Sequence, residues 1–141
     1  MTSHRLTRLR ESLDELDAVA ISQPENRRYL SGFPGSAGTL LISRDLALLA
    51  TDFRYYEQVR QEVRDFELAE VGYEFTKNLP DLLNRMGAAR VGFEAQDLTL
   101  ADLDSWREKT PGVEWAPTKN LVEDIRAVKS VAEIEALKYA V

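Results

Sequence analysis

The segment from Gly32 to Gly38, with the sequence GFPGSAG, has the composition of a loop that could hold a ligand. Glycine-rich loops bind phosphate when they follow a strand and open a helix, because the helix N-terminus supplies free N–H groups. This segment instead follows a predicted helix and leads into a predicted strand, which disfavours a phosphate site. It is either a tight turn that needs positive φ or a loop from which Phe33 and Pro34 project towards a ligand or partner. The candidate contact residues are Phe33, Pro34, Gly35 and Ser36.

Asp52 and Arg54 form a second candidate pair, placed where a predicted strand ends and a helix begins. Ligands often bind outside the carboxyl ends of strands in α/β domains. The simpler interpretation is that Asp52 caps the helix that starts near Arg54 and pairs with that arginine. A lone Asp/Arg pair has no nucleophile or base beside it. A structural role is therefore favoured, and an independent small-molecule enzyme that uses Asp52 is the least favoured hypothesis.

Metal and nucleophile chemistry has little support in this sequence. His4 is the single histidine and there is no cysteine. A hydrolytic metal site needs several histidines or carboxylates that converge on one point. The acidic pairs Asp14/Asp17 and Glu133/Glu135 are more simply solvated charges on helix faces. The sequence therefore predicts no catalytic residue and no metal ligand in this segment.

Composition and charge limit the classes of protein to which this chain can belong. The chain has 141 residues, 44% of them apolar and 30% charged, which is ordinary for one globular domain. The formal net charge of −6 argues against nucleic acid or an anionic membrane as a partner. The longest apolar run, Leu46 to Ala50, is too short to span a bilayer, and the N-terminus lacks the apolar segment of a signal peptide. We expect a cytoplasmic protein.

Hydrophobic periodicity predicts helices that alternate with strands. Predicted strands span residues 17–22, 39–43, 46–51, 66–71, 90–94 and 113–116, and predicted helices span residues 26–30, 54–63, 78–86 and 99–109, after a first helix marked by the stripe Leu6, Leu9, Leu13 and Leu16. Ser22 and Glu25 are spaced as a capping box for the second helix. Only Arg44 and Asp45 separate the second and third strands, which predicts a hairpin. The fold class is α/β, a mixed β-sheet of about six strands with helices on both faces.

The C-terminal region reads as helix up to the last residue. Residues 121–128 are helical in pattern, and Ser130 with Glu133 is spaced to cap a further helix. No C-cap, glycine or proline ends that helix before Val141. We expect a chain that was cut at a domain linker. The alternative is an ordinary C-terminal helix that frays.

Three stretches together resemble one known family. They are residues 26–38 (NRRYLSGFPGSAG), residues 51–58 (TDFRYYEQ), and residues 125–130 (IRAVKS) followed by Glu133, Ile134, Glu135 and Ala140. The segment 91–94 (VGFE) fits as well. In this order and spacing they resemble the N-terminal domain of the creatinase, prolidase and aminopeptidase P family. The resemblance covers essentially the whole chain.

The resemblance implies a mixed α/β domain followed by a catalytic domain of the "pita-bread" type. The full-length protein would be a metal-dependent hydrolase, a Xaa-Pro dipeptidase or aminopeptidase. In such peptidases two divalent ions, commonly manganese, activate a water that attacks the bond before proline. Their ligands, two Asp, one His and two Glu, belong to the catalytic domain, so this segment alone is expected to be inactive. Residues 1–128 would be the N-terminal domain, and residues 129–141 the linker and the start of the first catalytic-domain helix.

The resemblance also implies what this domain does. It would shape one wall of the active-site cleft and make much of the homodimer contact. Its partners would be its own C-terminal catalytic domain, a second copy, and a proline-containing peptide. In creatinase the corresponding loop carries an aromatic residue and an arginine that bind the substrate carboxylate. Here the loop has Phe33 but no arginine, which disfavours the alternative of a creatinase-like amidinohydrolase. A stand-alone dimerisation or binding module is the other alternative.

Overall fold

The computed structural model describes residues 4–127. In chain order the elements are α1 (His4–Glu11), β1 (Ala18–Ile21), α2 (Pro24–Ser31), β2 (Thr39–Ser43), β3 (Ala47–Thr51), a 3₁₀ turn (Phe53–Tyr55), α3 (Tyr56–Glu62), β4 (Glu67–Glu70), α4 (Phe75–Met86), β5 (Arg90–Glu94), α5 (Leu100–Lys109) and β6 (Glu114–Thr118). Residues 121–127 are also helical. The predicted cap at Ser130, the helix after it, and the linker at 129–141 lie outside the described residues. None of the helices within the described part is long and apolar enough to cross a membrane.

The strands form one mixed sheet in the order β4-β3-β2-β1-β5-β6. β2 runs antiparallel to both of its neighbours, while every other pair of adjacent strands is parallel. The predicted hairpin is confirmed, with Ile42 opposite Ala47 beside the turn. Because of this topology, β1, β3, β4, β5 and β6 all end at one edge of the sheet, where β2 begins. We call it the carboxyl edge.

Helices cover both faces of the sheet, as the sequence predicts. Alternate strand residues such as Val19 and Leu49 pack against α1, α3 and the helix at 121–127. The intervening residues, such as Leu48 and Val91, pack against α4 and α5. Of the predicted leucine stripe, Leu6 and Leu9 lie on α1 and are almost fully buried in the first core. Leu13 and Leu16 follow the helix, which ends at Glu11, so the predicted helix was too long. The period of two along each strand therefore divides its side chains between two cores.

The start of α2 corrects one local prediction. The N-cap is Gln23, whose side chain accepts a hydrogen bond from the backbone N–H of Asn26 at 2.6 Å. The capping box at Ser22 and Glu25 is therefore wrong, and the Ser22 hydroxyl instead donates to Asp97 at 2.6 Å. The physical reason is Pro24: proline takes the first helical position, so the cap is the residue directly before it.

α4 begins at Phe75, three residues before the predicted start at Asn78. The prediction placed Pro80 in the first turn, where its missing N–H costs nothing. In the structure Pro80 lies inside the helix, and the turn before it is held by packing. The Phe75 ring contacts Trp106 of α5, with 5.4 Å between ring centroids. Tertiary contact therefore outweighs the local preference of proline.

Two leucines on the second face allow a test of how far burial stabilises this domain. Leu83 of α4 is 1% exposed, whereas Leu100 of α5 is 72% exposed. We expect Leu83→Ala to lower the free energy of unfolding by about 2–5 kcal/mol, because it leaves a cavity. Leu100→Ala should change it by less than about 0.5 kcal/mol. Urea unfolding measures both, and equal losses would contradict the layer assignment.

Candidate functional site

The residues singled out in the sequence gather at the carboxyl edge. The loop at 32–38 enters β2 there, and Asp52 follows β3. Glu94, which the sequence analysis did not select as a site residue, ends β5 at the same edge. In α/β domains this is the edge at which ligands usually bind, because the loops between elements are free to vary there. The candidate site therefore consists of polar groups brought together from well-separated parts of the chain.

Asp52 and Arg54 form a two-pronged ion pair. The Asp52 carboxylate accepts hydrogen bonds from Nε and Nη2 of Arg54, both at 2.8 Å, and one from the Arg54 backbone N–H at 3.1 Å. The hydrogen bond from the Arg54 side chain lowers the pKa of Asp52 below its ordinary value. Asp52 is buried and caps the 3₁₀ turn. Both of its oxygens are engaged in structure, which matches the capping alternative.

Phe33 does not project from the loop, so that part of the prediction is wrong. Its ring is 1% exposed and lies in the first core, at 5.3 Å and nearly perpendicular to the Tyr55 ring. The cause is Gly32, which ends α2 in a left-handed conformation with φ of 76° and donates its N–H to the Arg28 carbonyl. That turn directs the following side chain back onto the helix it ends. Pro34 remains at the surface.

Ser36 ties the loop to the turn after β3. Its hydroxyl and that of Tyr55 are hydrogen-bonded at 2.6 Å. The hydrogen bonds with Ser36 lower the pKa of Tyr55 below its ordinary value. Gly35 lies against the Phe33 ring, since a Cβ built at Gly35 would overlap that ring. The loop is therefore closed onto the domain at two points.

Arg27 is a site residue that the sequence reasoning missed. Its side chain is buried, with 4% exposure, and its guanidinium donates to the carbonyls of Gly38 at 2.9 Å, Gly35 at 3.0 Å and Ser22 at 3.3 Å. Its Nε has no hydrogen-bond partner. Burial lowers the pKa of Arg27. The signal was its position three residues before buried Leu30, on the inner face of α2.

Asn26 and Glu94 form the second feature that the sequence reasoning missed. One oxygen of Glu94 accepts hydrogen bonds from the backbone N–H groups of Ser22 at 2.7 Å and Gln23 at 2.8 Å. The other accepts from the side-chain amide of Asn26 at 2.7 Å. Burial raises the pKa of Glu94, and these hydrogen bonds oppose that effect. No local pattern marks this pair, because its members lie 68 residues apart.

Asn26 also connects the helix at 121–127 to the edge. It is fully buried; its amide nitrogen donates to Glu123 at 3.0 Å, and its oxygen accepts from Arg126 at 2.9 Å. Arg126 further approaches Glu25 at 3.8 Å. One buried side chain is thus hydrogen-bonded to a strand end and to the last described helix.

Two hollows of opposite charge lie beside α2. The larger, which we call the arginine groove, has a volume of about 730 Å³ and is lined by Arg5, Pro24, Glu25, Arg27, Arg28, Tyr29, Phe33, Pro34, Gly35, Ser36 and Arg126. The smaller has a volume of about 260 Å³, and its lining includes Glu94, Asp97 and Glu123. No group of three or more potential ligand side chains within residues 4–127 is arranged to hold a metal ion. The donor set of the described residues therefore does not fit a hydrolytic metal.

Gly35→Ala tests the closed loop. The new methyl group would overlap the Phe33 ring, so we expect a loss of about 1–3 kcal/mol in the free energy of unfolding. Gly112→Ala is the matched control, because nothing lies within 4 Å of a Cβ at that position and its φ is not positive. It should be neutral or slightly stabilising. Chemical denaturation of both variants measures the difference, and a neutral Gly35→Ala would contradict the loop geometry.

Asn26→Asp tests the buried network through pH. The pKa of Glu94 is raised above its ordinary value of 4.5. The stability that the protonated carboxyl contributes is therefore fully present below pH 4.5, and it is lost as the pH rises through the raised pKa. The new carboxyl keeps an oxygen towards Arg126 but places another against Glu94, which adds repulsion.

We therefore expect a loss of at least about 2 kcal/mol at pH 7 and a smaller loss at pH 4, where a protonated carboxyl can donate the missing hydrogen bond. Unfolding curves at the two pH values measure this. Asn84→Asp, at an exposed position, should have little effect at either pH. Equal losses for Asn26→Asp at both pH values would show that the carboxyl pair is not responsible.

Comparison with known proteins finds the same domain elsewhere. The chain is 36% identical over 138 residues to an uncharacterized peptidase of Bacillus subtilis, and the match covers 96% of this chain and 39% of that protein. Among solved structures, a Xaa-Pro dipeptidase from Bacillus anthracis aligns with a TM-score of 0.82 and 31% identity, over 86% of this chain and 35% of that one. The N-terminal domain of a cytoplasmic peptidase from Mycobacterium tuberculosis aligns with a TM-score of 0.78 and 34% identity, over 85% and 96% of the two chains.

The chain thus spans about two fifths of the Bacillus subtilis relative, 39% of that protein's length. The structure of the Mycobacterium tuberculosis domain, by contrast, is matched over nearly its whole length. The family model described as the creatinase/prolidase N-terminal domain matches residues 5–128. On this match and on the shared mixed sheet, the chain belongs to the creatinase/prolidase N-terminal domain family.

Proposed function

We propose that this chain is the non-catalytic N-terminal domain of a Xaa-Pro peptidase and that peptide hydrolysis is carried out by a separate catalytic domain. The observation that carries the proposal is the use of the buried carboxylates at the carboxyl edge. Asp52 is held by Arg54, and Glu94 is held by two backbone N–H groups and Asn26. Neither carboxylate is free to act as a base or to bind a metal ion. The edge is therefore suited to supporting a cleft, not to performing the reaction.

The metal belongs to the catalytic domain in this proposal. Two divalent ions, manganese by the family resemblance, would supply a Lewis-acid centre there. The residues of this chain do not fit such a centre, since the described part lacks a cluster of potential ligands. The proposed contribution of this domain is to shape one wall of the cleft and to contact a proline-containing peptide or the partner subunit.

The contact residues we propose are those of the loop and of the turn after β3. Pro34 and Ser36 are exposed, whereas Phe33 supports the loop from below. Arg54 keeps half of its side chain exposed, at 51%, while it pairs with Asp52. It can therefore contact a partner while the ion pair stays intact.

A homodimer and contact with the catalytic domain are part of the same proposal. Phe53 and Tyr73 are 56% and 70% exposed, and their rings contact each other at 4.7 Å. Exposed aromatic residues beside an arginine are typical of the centres of protein interfaces. The pair lies on the turns that follow β3 and β4, next to Arg54. We also propose a cytoplasmic location, which the description of the Mycobacterium tuberculosis relative as a cytoplasmic peptidase supports.

The direct test is an assay of the 141-residue chain on Xaa-Pro dipeptides with added manganese. We expect no turnover above a blank with metal alone, while the Bacillus anthracis dipeptidase, assayed in parallel, hydrolyses the substrate. Turnover that copurifies with the chain would contradict the proposal. If Asp52→Asn abolished that turnover and Arg85→Gln did not, the activity would belong to the small-molecule enzyme hypothesis.

The coding sequence beyond Val141 separates this proposal from a stand-alone module. We expect it to encode a domain with two Asp, one His and two Glu as metal ligands. A stop codon directly after Val141 would favour a dimerisation or binding module that acts alone.

A further inference from the structure

Two carboxylates from distant parts of the chain share one amide group. Glu94, at the end of β5, and Glu123, in the helix at 121–127, both accept from Nδ2 of Asn26, at 2.7 Å and 3.0 Å. Asn26 is fully buried and Glu94 is 7% exposed, so little water screens the two charges from each other. The contact between strand and helix therefore combines attraction to the amide with repulsion between the carboxylates.

Arg126 fixes the orientation of the shared amide. It donates to the Asn26 oxygen at 2.9 Å, so the nitrogen, which can only donate, must face the carboxylates. A protonated Glu94 could not donate to Asn26 unless the amide turned over and lost Arg126. A proton on that oxygen of Glu94 can instead be donated to Glu123, which replaces the repulsion with a charge-assisted hydrogen bond.

A proton can reach this pair from water. Glu94 and Glu123 both line the smaller hollow, of about 260 Å³, and Glu123 is only half-buried. Burial raises the pKa of Glu94, and the negative charge of Glu123 raises it further, whereas the hydrogen bonds from Gln23, Asn26 and Ser22 lower it. The net direction is upward, so Glu94 binds a proton more readily than an ordinary glutamate.

Other charged groups surround the pair, but Glu123 is the one that acts on the pKa of Glu94. Asp97 lines the same hollow and accepts from a hydroxyl group, and Arg27 donates to backbone carbonyls. Arg126 donates to Asn26 and approaches Glu25 at 3.8 Å. By element, these groups are Asp97 after β5, Lys119 after β6, Glu25 and Arg27 of α2, and Glu123 and Arg126 of the last described helix.

Apolar contacts hold the same helix independently of charge. Val122 and Ile125 are buried in the first core, with 0% and 6% exposure. A change in the charge of the carboxyl pair should therefore alter how often the helix opens, without releasing it from the domain.

We propose that Glu94, Asn26 and Glu123 form a proton-sensitive latch that holds the helix at 121–127 against the end of β5. With a proton on the pair, a hydrogen bond joins the two carboxyl groups and the helix is held more tightly. Without it, the carboxylates repel and the helix opens more often. Because the pKa of Glu94 is raised, this stabilisation is fully present below pH 4.5 and is lost as the pH rises through the raised pKa. The inference does not depend on the proposed peptidase role, since it rests on contacts within residues 4–127.

The test is NMR on the 141-residue chain: carboxyl carbon signals follow the titration of Glu94, and amide hydrogen exchange follows opening of the helix. Glu123→Gln keeps an oxygen for Asn26 but removes the charge. We expect it to lower the pKa of Glu94 and to raise the protection factors of the helix amides severalfold at pH 7. Glu108→Gln, at an exposed position of α5, is the matched control and should change neither quantity.

Glu94→Gln tests the protonated state directly. Its oxygen can accept from the two backbone N–H groups, and its amide can donate to Glu123 as a protonated carboxyl would. Measured relative to the amides of β1, its helix protection at pH 7 should match that of the unmodified chain at pH 4, with little change between the two pH values. If this variant does not fold, Glu123→Gln decides alone.

Two results would overturn the proposal. One is a Glu94 carboxyl that titrates at the same pH in the unmodified chain and in Glu123→Gln. The other is a set of helix amides whose protection in the unmodified chain, relative to β1, is the same at pH 4 and pH 7.

Discussion

The carboxylate of Glu94 accepts three hydrogen bonds at the end of β5, between β1 and β6, and the organisation of the carboxyl edge depends on it. Two come from the backbone between β1 and α2, so the carboxylate fixes where the helix begins. The third comes from Asn26, which in turn holds the helix at 121–127. A buried carboxylate is tolerated only when its oxygens are hydrogen-bonded. The same contacts that stabilise Glu94 therefore position α2, and with it Arg27.

Arg27 connects this hydrogen-bond network to the loop at 32–38. It follows Asn26 on α2, and its guanidinium holds the carbonyls of Gly35 and Gly38. The loop is closed from the other side by the hydrogen bond between Ser36 and Tyr55. The charged groups at this edge thus act mainly on the protein itself, which fits a family domain that stands beside a catalytic domain. Pro34 and Ser36 keep exposed surface in the loop.

The sequence predicts the elements of this domain better than the contacts of its site. The two-residue connection of the hairpin and the alternation of apolar residues are local patterns, and both lead to the observed elements. The leucine stripe predicts α1 as well, but the helix ends at Glu11, before Leu13 and Leu16. The burial of Asn26 and Arg27 is not local, because it is decided by partners such as Glu94 and Gly38 that fold into place from elsewhere. The position of Phe33 was missed for a related reason: the left-handed Gly32 before it reverses the direction of the side chain. From composition alone, a loop rich in glycine, proline and serine is predicted to be exposed.

β2 is antiparallel to the other five strands of the sheet, and this affects how such domains can diversify. The segment at 32–38 connects α2 to β2 and reaches the sheet at the carboxyl edge, where β2 begins. Residues can be added to or removed from it without shifting the pairing of β2 with β1 or β3. The surface of this loop can therefore change during evolution while the sheet keeps its register.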